Sequence, residues 1–268
     1  MAIGNLSGLI GAVHQPPMTL NKVASITTVA AQPFSVFDQI GTPGSGSLVV
    51  GNTTTGLVPT DADAGFPSID TFGGGNTGYI QSILAGNTVA CRLELFDLLY
   101  WVGSIPLNAL ATTTLSSQPS YDARLPGGSY NGLQIRLMIA AAVSATATTV
   151  TVNYRNELDV DQNTNAINVN GFTQRRMATF GLAAGAKGVK RINSITIGGT
   201  VATTGSVAIY VMRQLWQCRI SAINGGQNDG PATTAMPIIY DTSALFPVVT
   251  PDSTASGLPS FLINIPNG

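Results

Sequence analysis

Alternation restricts the fold of this chain more than any other feature. In "TATTVTVNYRN" (146–156), Val150, Val152 and Tyr154 fall on one side and Thr149, Thr151 and Asn153 on the other. A period of two belongs to a half-buried strand, and β-branched residues suit its pleated surface. The same period opens "AGNTVACRLELFDLLYWVG" (85–103), where Val89, Cys91, Leu93 and Leu95 share a face opposite Arg92 and Glu94. Its continuation, "FDLLYWVG", reads either as a short helix or as a buried strand end. "LQIRLMIAAAV" (133–143) aligns Leu133, Ile135, Leu137 and Ile139, and "VKRINSITI" aligns Val189, Asn193, Ile195 and Ile197. "RRMATFGLA" reads as a further strand. "GSVAIYVMRQLW" (205–216) is apolar on both faces, which predicts a central strand covered on both sides. Turn-rich stretches separate these runs, among them "PLNALATTTLSSQPSYDARLPGGSYNG" and "ELDVDQNTNAINVNG". The expectation is an all-β chain with an antiparallel β-sandwich or jelly-roll core at 76–220.

The two ends read differently. Residues 1–75 carry Pro16, Pro17, Pro33, Pro43, Pro59 and Pro67 between short apolar anchors such as "PFSVFDQI" and "GFPSI". Each proline removes an amide donor and extends the residue before it. Residues 221–268 repeat that character. Both are expected to be extended arms whose anchors dock into grooves, since pure linkers lack such anchors.

Composition then narrows the function. Of 268 residues, 44% are hydrophobic and only 9% charged, twelve Lys and Arg against thirteen Asp and Glu, for a net charge of −1. Ordinary soluble domains carry about 25% charged residues. So weakly self-repelling a surface associates readily, and much of it is expected to meet other protein. The balance gives no basic field for nucleic acid. The N-terminus lacks a basic region before Pro16, so no signal peptide is expected, and the longest apolar run contains Arg136 and is too short to span a bilayer. A soluble, unsecreted protein is expected. Cys91 and Cys218 match no zinc or redox spacing and are expected to be buried free thiols.

No stretch meets the requirements of a catalytic or ligand motif. "FGLAAGAKGVKRINSITIGG" (180–199) has a glycine-rich, basic look, but Gly181 and Gly185 are one residue too close for a phosphate-binding P-loop. Lys187 is followed by Gly188, and a β-patterned run comes next instead of a helix. It reads as a loop or hairpin connection whose glycines supply positive φ. His14 is the only histidine and sits beside two prolines, a poor base for a catalytic triad. "DVDQNTN" presents Asp159, Asp161, Asn163 and Asn165 like the start of a calcium loop, but Thr164 replaces the required glycine and Asn170 the closing glutamate. An Asx-rich turn is the expectation. Glu94 and Asp97 are too sparse for a glycosidase pair. "RRMATF" and "KGVKR" form small basic patches that acidic neighbours would satisfy. Trp101 and Trp216 read as core or interface anchors. No enzyme activity, catalytic residue, cofactor or metal is expected.

The order of segments "MAIGNLSGLIGAVHQPP", "QPFSVFDQIGTPG", "GNTVACRLELFDLLYWVGSI", "TATTVTVNYRN" and "FGLAAGAKGVKRINSITIGGTVATTGSVAIYVMRQL" resembles a family of tailed-bacteriophage virion proteins. The family has an "LYDRLW"-like segment where this chain has "LFDLLYW", a "VSYTNSAG"-like strand where it has "VNYRNELD", and an "LQAGDTGVRSV" turn where it has "LAAGAKGVKRI". The match spans most of the chain and is weakest in 221–268; "NYRNELDVDQNTN" departs from it and reshapes one turn. The resemblance implies a head-associated structural protein, a decoration (cement) protein on the capsid exterior assembled in the host cytoplasm. Its implied partners are the major capsid protein and neighbouring copies of itself, as a homo-oligomer, a trimer by expectation, with no nucleic acid or membrane partner. A tail or baseplate component, and a host-surface carbohydrate-binding or hydrolytic β-sandwich, are the alternatives.

Overall fold

The computed structural model describes residues 15–48, 52–73 and 77–267. Nearly all regular structure is antiparallel strand, arranged as packed sheets of a β-sandwich. Strands are numbered along the chain. The largest sheet runs β13 (Met177–Thr179), β9 (Leu133–Ala141), β15 (Ser206–Ile220), β7 (Cys91–Pro106), β18 (Leu245–Pro251), β2 (Phe34–Ser35), and β4 (Asn52–Leu57) pairs with the far end of β7. A second sheet runs β11 (Asp161–Asn163), β10 (Thr148–Arg155), β14 (Arg191–Gly199), β8 (Thr112–Thr114), with β12 (Ile167–Asn168) also on β10. The third runs β16 (Gly225–Asp229), β6 (Ser82–Asn87), β19 (Ser260–Asn264), β1 (Met18–Lys22), β3 (Gly41–Thr42). A small ribbon joins β5 (Gly78–Tyr79) to β17 (Ile238–Ile239).

Apolar periodicity places these sheets. Val150, Val152 and Tyr154 of β10 are fully buried, facing Leu133, Ile135, Leu137 and Ile139 of β9 and Val207, Ile209 and Val211 of β15. Burying a side chain of this size stabilises the fold by about 1.5–3 kcal/mol. A second core lies between the third sheet and the other end of the large one. It joins Leu20, Ile83, Phe261 and Ile263 to Cys91, Leu93, Leu95 and Val249. The opposite face of the large sheet is closed by the N-terminal segment. There Phe37 and Phe66 meet Trp101, Tyr210 and Phe246 in an aromatic cluster with ring centroids 4.6–6.0 Å apart. The long strands β7 and β15 run through all three cores.

Three readings of the sequence sharpen against this frame. The 205–216 run is the central strand expected, held between β9 and β7. "FDLLYWVG" is strand throughout, because β15 and β18 pair with it on either side. Asn193 does not share the apolar register of β14. Val150 faces Ile197 and Val152 faces Ile195, but Tyr154 faces Ile192 across a bulge beside Asn153. The extra residue swings Ile192 into the core and leaves Asn193 on the rim.

The described parts of the terminal segments pair with the rest of the chain. β1 lies against β19, Met18 opposite Ile263 and Leu20 opposite Phe261, and β2 pairs with β18. The anchors Phe34, Val36, Phe37, Phe246 and Val248 are buried within this same chain. Lys22 pins the connection into β3. Its buried ammonium donates to the carbonyls of Gln39 (3.0 Å), Pro43 and Gly44 (3.2 Å each) and Phe37 (3.3 Å). Burial pulls its pKa down to about 8, against the opposing pull of Asp38.

Candidate interaction surface

The glycine-rich basic loop is a turn whose anion-binding groups are already engaged. Gly185 has φ +84°, and the Ala186 amide closes the turn on the Ala183 carbonyl. The next two amides, of Lys187 and Gly188, each donate at 3.0 Å to a carboxylate oxygen of Glu157. A Cβ at Gly188 would run into the Tyr130 carbonyl, so the close approach requires glycine. The loop therefore cradles an oxyanion, and the chain itself supplies it. Desolvation opposes ionisation of Glu157, but the backbone donors and Lys187 outweigh it and hold the carboxyl below its usual range.

The calcium-like oxygens diverge. Asp159 takes Lys190 at 2.7 Å, Asp161 takes Arg155 at 2.8 Å, Asn163 accepts from Asn153, and Asn165 accepts from the Gly181 amide. Hydrogen bonds from Arg155 and Asn193 drive the Asp161 pKa down to about 2. Among the described residues, no three His, Cys, Asp or Glu side chains gather as metal ligands. Of the other basic patch, Arg175 pairs with Asp38 at 2.7 Å and Arg176 lies over the Phe172 ring. His14 lies outside the described residues. Cys91 is buried and Cys218 half-buried; both are free, with thiol pKa values raised by burial, that of Cys218 to about 12. Trp101 and Trp216 are buried, and the Trp216 indole donates to Asp229 at 2.8 Å.

The fold brings together a charge cluster that sequence spacing does not reveal. Asp97 is fully buried and binds Arg124, Arg213 (3.0 Å), the Ser243 hydroxyl (3.1 Å) and the Ala244 amide (3.1 Å). It lies on β7 between Leu95 of one core and Leu99 of another, so the cluster fills the seam where two sandwiches meet. Glu94 is buried beside Arg136 (3.2 Å), whose guanidinium stacks on Phe96 at 4.2 Å. The available signal was positional. Glu94, Asp97, Arg136 and Arg213 each interrupt an apolar strand in a chain that has few charges. Glu94, Asp97, Arg124 and Arg136 are buried, and Arg213 is nearly so.

A cleft of about 560 Å³ opens beside residues 114–122, Tyr130, Lys190 and Arg191. Its polar groups are largely paired within the chain, Tyr130 to Asp122 and Lys190 to Asp159.

The surface that stands apart is the outer face of the third sheet. Register places Asn228, Leu84, Leu262 and Thr19 in one row across β16, β6, β19 and β1. The next row, two residues along, is Gly226, Gly86, Ser260, Asn21 and Thr42. Ser82 and Asn264 complete the face. No residue in these rows is ionisable. The sheet's charged side chains, Lys22 and Asp229, point inward and are buried. Leu84 is 51% exposed and Leu262 37%. The two leucines make a ridge, and the glycine row beside it forms a shallow hollow of about 310 Å³. Ile223 (74% exposed) lies just before one edge strand and Ile40 (60%) just before the other. Two exposed leucines therefore stand among uncharged polar side chains and glycines on this face.

No family model matches the sequence, and no curated protein matches it. Among solved structures, the VP2 subviral particle of infectious bursal disease virus aligns over 94% of this chain and 80% of its own at 12% identity, with a TM-score of 0.19. The Gt strain of the same virus aligns over 94% and 82% at 8% identity, with a TM-score of 0.17. Similarity this low bears no weight for fold or role.

Proposed function

We propose that this chain is a non-enzymatic structural protein of a virion, a decoration protein that binds the exterior of an assembled phage capsid and bridges neighbouring shell units. The observation that carries the reading is the outer face of the third sheet, uncharged across five strands and ridged by exposed leucines. The role is the one that the sequence's resemblance to tailed-phage virion proteins implies. Among the described residues, the anchors Phe34, Phe37, Phe66, Phe246 and Val248 are buried in the chain's own cores, and the bridging contact is assigned to a sheet face. A protein that binds the assembled shell and not its dissociated parts shifts the equilibrium towards assembly by mass action.

The experiment is co-sedimentation of the purified protein with shells lacking it. Saturable binding, lost in a Leu84→Asp, Leu262→Asp variant that still folds, supports the reading. No binding, or binding indifferent to the variant, contradicts it. A tail or baseplate role is the second reading, which a few copies per particle would favour. The carbohydrate-binding alternative gains nothing from the indoles, because both tryptophans are buried.

A further inference from the structure

We propose that the cleft beside residues 114–122 is a carbohydrate site that takes a short uncharged oligosaccharide. It belongs to the second sheet and not to the shell-binding face of the third. It adds a function to the virion reading without resting on it.

The walls are fixed by hydrogen bonds. One wall is the segment that follows β8. Its Leu115 amide donates to the Asn193 carbonyl (2.9 Å) and its Ser116 amide to the Thr54 carbonyl (3.0 Å). The Gln118 side chain then stands in for a neighbouring strand on β14. Its amide donates to the Ile192 carbonyl, and its oxygen accepts from the Ile192 amide (3.2 Å). Between these anchors Ser117 is held at φ +51°, a left-handed conformation that recurs at ligand clamps. The other wall carries Tyr130 and the start of β14. Buried Tyr121 links the two, its ring meeting that of Tyr130 edge to face and its hydroxyl donating to the Val189 carbonyl (2.9 Å). The cleft holds about 560 Å³, within the roughly 300–1,000 Å³ of small-molecule sites.

The chemistry of the lining selects the ligand. Tyr130 donates to one oxygen of Asp122 (2.7 Å), and the other oxygen has no partner among the described residues. The Arg191 Nε donates to Asn193 (2.9 Å), which orients the guanidinium, and no carboxylate pairs with it among the described residues. Exposed acceptors and donors therefore line one cleft. An inorganic anion only accepts. Asp122 repels it, and Lys190 is already held by both oxygens of Asp159 (2.7 and 2.9 Å). An apolar ligand would strand Asp122 and Arg191 without hydrogen bonds. Sugar hydroxyls both donate and accept, so they satisfy the carboxylate and the guanidinium together. The C–H face of a sugar ring matches the half-buried ring of Tyr130 and the exposed Pro119. Asp122 and Arg191 balance one another, which favours a sugar without charge.

The test screens the purified full chain on an array of uncharged oligosaccharides of glucose, galactose, mannose and N-acetylglucosamine. Hits are then titrated by amide NMR to about 10 mM, enough to define a Kd near 1 mM. At least one hit is expected, with shifts centred on residues 114–122, 130 and 190–193. Asp122→Ala and Tyr130→Ala should each weaken it about tenfold, the loss of a hydrogen bond to a charged group or of a ring contact. Arg191→Ala, at an exposed residue, should do the same should either of those fail to fold. An array without a hit overturns the proposal. So does binding that survives these substitutions. Inorganic phosphate shifting the same signals at lower concentration than any sugar would mark an anion site and also overturn it. Failure here is separable from failure of the virion reading. A chain abundant in particles that binds no glycan refutes the cleft alone. A chain that binds glycan but is absent from particles refutes the virion role alone.

Discussion

The rim of the second sheet and the outer face of the third differ in charge. The rim of the second sheet and its adjoining turn is laced with charge: Arg155 with Asp161, Lys190 with Asp159, and Glu157 on the Lys187 and Gly188 amides. The outer face of the third sheet has no ionisable group across all five strands. The same chain, with the same scarcity of charge, concentrates it in one place and removes it from another. A surface meant for water is marked by charges that satisfy one another. A surface meant for protein is marked by their removal, because each buried charge would have to be paired anew.

The comparison can be broken in several ways. The largest effect is expected inside, where charge belongs to neither surface. Asp97→Ala leaves Arg124 and Arg213 facing each other without a counter-ion in the seam between cores. It should cost about 3–5 kcal/mol in denaturant unfolding. A loss typical of an exposed pair would mean that water reaches the seam. Next comes charge placed on the uncharged sheet. The Leu84→Asp, Leu262→Asp double variant should abolish shell binding while changing stability by under about 1 kcal/mol, as an exposed substitution does. Equal losses of stability and binding would show that the leucines serve the fold and not a partner.

Smaller still is charge removed from the charged sheet. Arg155→Ala should lower the melting temperature only slightly and leave shell binding unchanged, since exposed pairs contribute little. Loss of binding there would move the docking surface to the second sheet. The finest test is titration of Asp161. Its folded pKa lies near 2, below the 3.8 of an unperturbed aspartate. The stabilisation it brings is therefore present above pH 3.8 and lost as pH falls through 2. Carboxyl chemical shifts should report that midpoint, and Arg155→Ala should raise it towards 3.8.

Much of the architecture was legible because apolar periodicity reports burial directly. The alternation of Val150, Val152 and Tyr154 survives intact in β10, and the two apolar faces of 205–216 identify the central strand. The failures have local causes. A bulge displaced Asn193 from the core register, and no sequence period signals a bulge. The helix alternative for "FDLLYWVG" stayed open because a strand buried on both faces has no alternation to show. The uncharged sheet face was not legible at all. Its rows unite residues 19, 84, 226, 228 and 262, drawn from both ends and the middle of the chain, and only pairing makes them neighbours. What sequence did show was the shortage of charge. It could not show where that shortage is concentrated.

Quantitative mass spectrometry on purified particles, comparing this chain with the principal shell protein, decides whether it is a shell component. Copies of the same order as the shell protein are expected. Absence of the chain from particles would overturn that role.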